Sequence, residues 1–585
     1  MSATVLVVAI IVGGSILIAH LLVTCREWFG GWARRFRVAL LLVPFGVWWA
    51  WQQSLLPLPL LLVVFIVIGV LIWRHVVHNA QVVRRLGQRA RRKHGVASWV
   101  DILRHGSVWR VRRKARILRP SLAGLRWWQL YRIPRTEYAC RVARSGLFWV
   151  WTNVEYVTLV FGGPRRGKSG YLGSRILDAP GMVLATSTRA DLYLATAAKR
   201  RERGPVYVFN PVGLGDLPSS LQFDPLVGCE DPDAAYQRAT DLLGVSGEND
   251  RGSGDEHGYW ENQARRVLTA LLHAAAIGGR TMLDVYRWVA DPDAHKTEIM
   301  RLLLRGNVAA YVPDVEQFVS TNHETRSSIT TGVTPGLGWL TAKPALRATR
   351  PGSKLDVEAL LAERATIYLI GDEETQSSPL VRALTGFITR EARRIAGRSR
   401  LDPPLTLTLD EAGQLAPPLP KWTADMGGRG VTIVAVFQSR AQMLTRYTGP
   451  ESGTIQNNAG TTVLFGGTGD EADLRYWSMR VGNRDEPVVT TDLHGKVTSR
   501  TVRKVPVLEA NQINALPEFR VIVFHGGMPP MLGRAQMSWE HPEIRRGSLR
   551  NRYARLRAWL QARLGLSPTH QQPEDTPEAT TEKAA

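Results

Sequence analysis

The strongest chemical signal in the chain is one short run. Gly162-Gly163-Pro164-Arg165-Arg166-Gly167-Lys168-Ser169 spells G-x-x-x-x-G-K-S. Glycines at those positions let the backbone curl so that its N–H groups point at an anion. A lysine there reaches β- and γ-phosphates, and the serine hydroxyl can take a magnesium ion. A second acidic element is needed to complete such a site. Pro404–Leu409 reads Pro-Leu-Thr-Leu-Thr-Leu and runs into Asp410-Glu411. Asp410 is placed to hold magnesium, and Glu411 to orient and polarise an attacking water. The chemistry this spacing predicts is ATP hydrolysis with Mg2+, with Lys168 and Glu411 catalytic and Ser169 and Asp410 on the metal. Two further residues stand near these motifs. Gln438 ends the apolar run Val431–Phe437, where it can sense the γ-phosphate or serve simply as a capping residue. Arg429 lies among Gly427, Gly428 and Gly430, and is either an arginine finger for a neighbour's site or a loop charge.

These residues need elements to hold them. Tyr156–Phe161 is β-branched and aromatic, which predicts a buried strand leading into the phosphate loop. A helix is expected to begin near Lys168, with its positive end at the anion. Between the phosphate loop and the acidic pair, Asp233–Leu243, Tyr259–Ala276 and Ala294–Leu304 carry apolar residues at helical spacing, with the polar stretch Ser246–Gly258 among them.

The N-terminus has a different character. Residues 1–25 contain no charged side chain, and Thr4–Thr24 is long enough to cross a bilayer, which takes about 20 residues. A second charge-free run, Val38–Trp73, is interrupted by Pro44, Pro57 and Pro59. Arg26, Arg34, Arg35 and Arg37 make the intervening loop basic, and the segment after Trp73 is more basic still. Basic loops stay cytoplasmic, so two crossings should separate them. That favours three spans, near 4–24, 38–55 and 57–73; two spans, the second long and tilted, is the alternative.

The chain has 585 residues and a net charge of +23. Residues 74–144 hold nineteen Lys/Arg and two acids, a net +17, so most of the excess sits beside the hydrophobic N-terminus. Such a run holds a chain against an anionic inner leaflet; contact with DNA is the second reading. Three cysteines, Cys25, Cys140 and Cys229, exclude a disulfide framework, and 44% hydrophobic residues exclude a disordered chain. Arg545–Arg563 reads as a basic amphipathic helix, and the tail after Ser567 as disordered.

In order, the anchor, the Gly162–Ser169 loop, the helical stretch, Leu409-Asp410-Glu411-Ala412, Gly428-Arg429-Gly430 and Phe437-Gln438-Ser439 resemble the type IV secretion coupling proteins, the TraG/TraD-like conjugation ATPases, in their compact Gram-positive and actinobacterial form. The resemblance spans about residues 145–545. It takes in Gln222–Leu226, Phe318–Gly338, Thr366–Ile370 and the closing Leu516-Pro517 and Gly526–Pro530. It implies an α/β fold: a RecA-like P-loop motor with an inserted all-α domain, preceded by N-terminal transmembrane helices. The expected divisions are an anchor at 1–73, a basic juxtamembrane segment at 74–144, motor at 145–229, insertion at 230–345, motor again at 346–545, a basic helix at 546–566 and a tail at 567–585.

The resemblance further implies a hexamer at the bacterial inner membrane, multi-pass, with a cytoplasmic motor. It would couple ATP hydrolysis to moving single-stranded DNA and its relaxase into a secretion channel. Gly162 to Ser169 would take the nucleotide, Gln438 the sensor position and Arg429 the finger position. An FtsK-like double-stranded DNA pump, or a protein-secretion ATPase on the same core, is the alternative. The chain departs from the pattern in two places. Loop 26–37 leaves no room for the extracytoplasmic domain of many relatives, and Ser187-Thr188-Arg189 stands where relatives often have Asp-Pro-Lys.

Overall fold

The computed structural model describes residues 95–244, 256–306, 309–371, 376–415, 417–491 and 497–545. The expected spans at 1–73, the start of the basic segment, the helix at 546–566 and the tail at 567–585 lie outside the described residues. Among the described residues, no helix is long and apolar enough to cross a membrane.

Runs rich in β-branched and aromatic residues form one large mixed sheet. Its strands are β1 (Ala139–Ser145), β2 (Phe148–Asn153), β3 (Thr158–Phe161), β4 (Val183–Ser187), β5 (Val206–Phe209), β6 (Thr366–Ile370), β7 (Leu405–Leu409), β8 (Val431–Phe437), β9 (Thr461–Phe465), β12 (Arg520–His525) and β13 (Met528–Ala535). The order across the sheet is β2-β1-β13-β12-β9-β3-β8-β7-β4-β6-β5. From β9 to β5 every neighbouring pair is parallel. From β9 outward to β2 every pair is antiparallel. The parallel strands β3, β4, β6, β7, β8 and β9 are buried at every residue. That is the expected state of strands covered by helices on both faces. A separate hairpin pairs β10 (Asn483–Thr491) with β11 (Val497–Pro506).

Between β5 and β6 the chain leaves the sheet for a run of helices: Pro232–Leu243, Glu256–Ile277, Met282–Ala290, Pro292–Arg305, Val312–Ser320, His323–Leu337 and Lys343–Ala348. Several starts have a local cause. Asp231, Thr281, Asp291 and Asn322 cap the free N–H groups of their helices. Helix Glu256–Ile277 lies at the centre, packed by five of the others. Its Leu268, Leu271, Leu272, Ala270, Ala274 and Ala275 are fully buried. Helix Pro232–Leu243 ties this unit to the sheet's helix Ser378–Ile395. Arg390 grips the Asp241 carboxylate, and Arg382 donates to the carbonyls of Asp241 and Leu242 at 3.1 Å each.

The boundary expected at residue 145 falls inside the sheet unit. β1 starts at Ala139 and is part of the sheet, and short helices between Trp99 and Arg132 pack with it. Val108, Val111, Ala115, Leu118, Leu122, Leu130, Tyr138, Trp151 and Val154 form a small core of their own. Two of this segment's arginines pair with acids elsewhere in the sheet unit. Arg119 pairs with Glu137 at 2.7 Å and also with Asp402. Arg141 bonds Asp178 at 2.5 Å and lies over the Trp151 ring at 5.9 Å. Burial would push Asp178 up, but Arg175, His541 and Arg141 outweigh that and hold its carboxyl well below the usual range.

Candidate active site

The candidate residues gather at the carboxyl ends of neighbouring parallel strands, the edge at which open α/β sheets take their ligands. Lys168 and Ser169 follow β3, Asp410 and Glu411 follow β7, and Gln438 follows β8. Register explains the meeting. Phe161 at the end of β3 lies beside Phe437 at the end of β8, and Leu409 at the end of β7 lies beside Ala435.

The phosphate loop has the shape its glycines require. Gly167 caps helix Lys168–Asp178 in a left-handed conformation, φ 99°. A Cβ on Gly163 would sit 2.1 Å from the Gly467 carbonyl oxygen, and one on Gly162 would sit 2.5 Å from the Phe465 Cβ. Neither neighbour can give way, because both belong to or adjoin β9. Pro164 and Arg165 point outward and are exposed, with Arg165 also left-handed, φ 58°. Arg166 turns back against Gly467 and donates to the Leu516 carbonyl at 3.4 Å.

Lys168 folds over its own loop. Its Nζ donates to the carbonyls of Gly162 at 2.6 Å and Gly163 at 2.8 Å. Burial lowers its pKa, against the pull of Asp410 and Glu411. An ammonium resting on loop carbonyls is poised to exchange them for phosphate oxygens. The Ser169 hydroxyl reaches the Asp410 carboxylate at 3.5 Å, and the Asp410 N–H donates to the Thr186 carbonyl of β4 at 3.3 Å. Burial, with Glu411 and Asp191 adding repulsion, pushes the Asp410 carboxyl up to about 7 despite Lys168 and Ser169. A carboxylate so placed gains by meeting a cation. The donor set of Ser169 hydroxyl and Asp410 carboxylate is all oxygen, which suits Mg2+. The residues therefore fit a magnesium-bound nucleoside triphosphate.

Glu411 is held in a left-handed conformation, φ 52°, uncommon for a residue with a side chain. That twist re-aims it at the end of β7, where its Oε1 accepts from Gln438 Nε2 at 3.3 Å. Gln438 in turn donates its backbone N–H to Gln442 Oε1 at 2.8 Å. The structure thus brings Lys168, Ser169, Asp410, Glu411 and Gln438 together. It does not bring Arg429 to them. Arg429 precedes β8, at the opposite edge of the sheet, where its Nε bonds Asp425 at 3.0 Å. A strand of that length sets it roughly 20 Å from the phosphate loop.

Sequence reading missed Asp191, Gln442 and the Gly466-Gly467 turn, which supplies the wall against Gly163. No short motif marks them. Asp191 and the Gly466-Gly467 turn reach the site from separate strand ends that the sheet order brings near, and Gln442 lies four residues after Gln438.

Residues 404–518 match the family model described as the TraM recognition site of TraD and TraG. No curated protein matches the chain. Among solved structures, the bacterial conjugative coupling protein TrwBdeltaN70 in its unbound monoclinic form is similar in fold. It is 16% identical with a TM-score of 0.51, over 74% of this chain and 93% of that one. The plasmid coupling protein TrwB in complex with ADP and Mg2+ matches at 15% identity and a TM-score of 0.49, over 66% of this chain and 86% of that one. VirB4 of Thermoanaerobacter pseudethanolicus matches at 13% and 0.37, over 68% and 96%. The chain is TraG/TraD-like: it resembles the type IV coupling proteins in sequence across residues 404–518 and in fold across most of its length.

Proposed function

We propose that this chain is a membrane-anchored ATPase that assembles as a hexamer and drives single-stranded DNA, with its attached relaxase, into a type IV secretion channel. The observation that carries the reading is the convergence of Lys168, Ser169, Asp410, Glu411 and Gln438 at one sheet edge. ATP would lie on the backbone N–H groups of the Gly162–Ser169 loop, with Mg2+ at Ser169 and Asp410. Bound there, the magnesium nucleotide supplies an electrophilic γ-phosphoryl group and charge neutralisation.

The chain's own residues do the rest. Lys168 leaves the two loop carbonyls and neutralises phosphate charge. Asp410 gives up the proton that burial favours. Glu411, aimed by its twisted backbone and steadied by Gln438, orients water in line and accepts its proton. Arg429 cannot reach this site within one chain; in the proposed ring it would act as a finger for the neighbouring copy. The proposed location is the bacterial inner membrane, with the charge-free runs before Trp73 as anchor and the motor cytoplasmic. A relaxosome protein is the proposed partner, in keeping with the family match over residues 404–518. The compact Gram-positive and actinobacterial form is the proposed subtype.

The test is the cargo that stays bound to full-length Glu411→Gln protein, which should hold ATP without turning it over. Recovery of single-stranded DNA or a relaxase supports the reading. Recovery of duplex DNA alone points to an FtsK-like pump, and recovery of secreted protein without DNA points to protein cargo.

A further inference from the structure

A second feature stands beside the phosphate loop. Gly167, Gly170 and Gly173 recur every third residue along the loop and its helix, leaving one face without side chains. The segment after β13, together with Phe519 just before β12, lies in that gap. A Cβ on Gly167 would sit 2.7 Å from Phe519 Cδ1 and 3.2 Å from Met537 Sδ. One on Gly170 would meet Trp539 Cζ3 at 2.7 Å, and one on Gly173 would meet Ser538 Cβ at 2.9 Å. The Phe519 and Trp539 rings meet edge to face, with centroids 5.7 Å apart and planes at 75°.

The pair is built into the fold. Phe519 is held left-handed, φ 63°. Its carbonyl accepts from the Ala535 N–H at 2.9 Å. Arg534 lies near its ring and pairs with Glu540, the residue after Trp539. Yet Trp539 remains 53% exposed. A large aromatic ring fixed by its neighbours but left open to solvent has a free face to offer.

Its position says to what. In such loops the lysine reaches the β- and γ-phosphates, and the backbone cradles the α- and β-phosphates. The nucleoside therefore leaves the site at the helix's first turn, beyond Ser169, where Gly170 and Trp539 meet. We infer that Trp539, braced by Phe519, is the stacking platform for the nucleobase. This rests on the nucleotide reading above and adds the base subsite to it. Every base has a π-face, so stacking alone binds ATP and GTP about equally.

The test compares binding of Mg-ATP with Mg-tripolyphosphate, which lacks a base, on full-length wild-type, Trp539→Ala and Trp539→Phe protein. Trp539→Ala should weaken ATP and GTP about tenfold, a typical loss for one stacked base, with tripolyphosphate unchanged. Trp539→Phe should recover most of the lost affinity. Equal ATP affinity in wild type and Trp539→Ala overturns the inference, as does an equal loss for ATP and tripolyphosphate, which would make Trp539 only a prop for the loop. If wild type binds neither ligand, the nucleotide reading itself fails and takes the base subsite with it. If wild type binds tripolyphosphate as tightly as ATP, only the base subsite fails.

Discussion

The two ends of the parallel strands β7 and β8 differ in what they can do. At their carboxyl ends, side chains from separate elements close on one another: Ser169 on Asp410, Gln438 on Glu411, Lys168 on its own loop. At their amino ends stands Arg429, paired with Asp425 and far from that cluster. One end is an assembled site. At the other, Arg429 shares Asp425 with Arg393, and Arg400 donates to the Gly428 carbonyl at 3.0 Å. In the proposed ring the same strands would both build a site and present to the neighbouring copy the residue that completes its site.

This contrast can be broken in graded ways. The largest effect is expected from Arg429→Ala, which should cut turnover of the assembled protein about a thousandfold or more. Mixing it with Lys168→Ala protein should restore activity, because each supplies what the other lacks. No recovery in steady-state hydrolysis of the mixture would mean that Arg429 is a loop charge. Next, Glu411→Gln should lower hydrolysis about a hundredfold or more while ATP affinity stays near wild type. Loss of binding instead would make Glu411 a ligand rather than a base. Gln438→Ala removes only the group steadying Glu411, so a drop of about tenfold in kcat with little change in KM is expected. An unchanged kcat would leave Gln438 a cap.

The smallest effect concerns pH. Asp410 is raised to about 7, and Mg2+ needs its ionised form. Magnesium affinity should fall as pH drops below about 7, by up to tenfold per pH unit, and be flat above about 8. Calorimetric titration between about pH 6 and pH 8.5 checks this, and Asp410→Asn should remove the slope. The same shift has a stability sign. Between 3.8 and about 7 the folded chain keeps a proton that the unfolded chain has lost, so this group alone makes stability fall as pH rises through that window.

The assembled end was largely legible in sequence, because its parts are contiguous motifs. A phosphate loop is local: strand, glycines, lysine and helix succeed one another, and β3 and helix Lys168–Asp178 fall where the pattern puts them. Asp410-Glu411 is likewise announced by the apolar run before it. The wall at Gly466-Gly467 and the ring of Trp539 were not legible, since each depends on which strands become neighbours; the brace from Gln442 is local, four residues after Gln438, but no motif marks it. The stretch before residue 145 was less legible for another reason. Its arginines suggested one basic run facing an anionic leaflet, yet Arg119 and Arg141 are matched by acids as distant in sequence as Asp402 and Asp178. Charge counts see the cations and not their partners.

The most direct measurement is ATP turnover by the full-length protein in a lipid or detergent environment, with and without single-stranded DNA, beside Lys168→Ala. Magnesium-dependent hydrolysis that rises with single-stranded DNA and falls to background in Lys168→Ala, with unfolding temperature held, is the predicted result. Equal turnover in wild type and Lys168→Ala would contradict the site, and turnover indifferent to any DNA would contradict its use as a DNA pump.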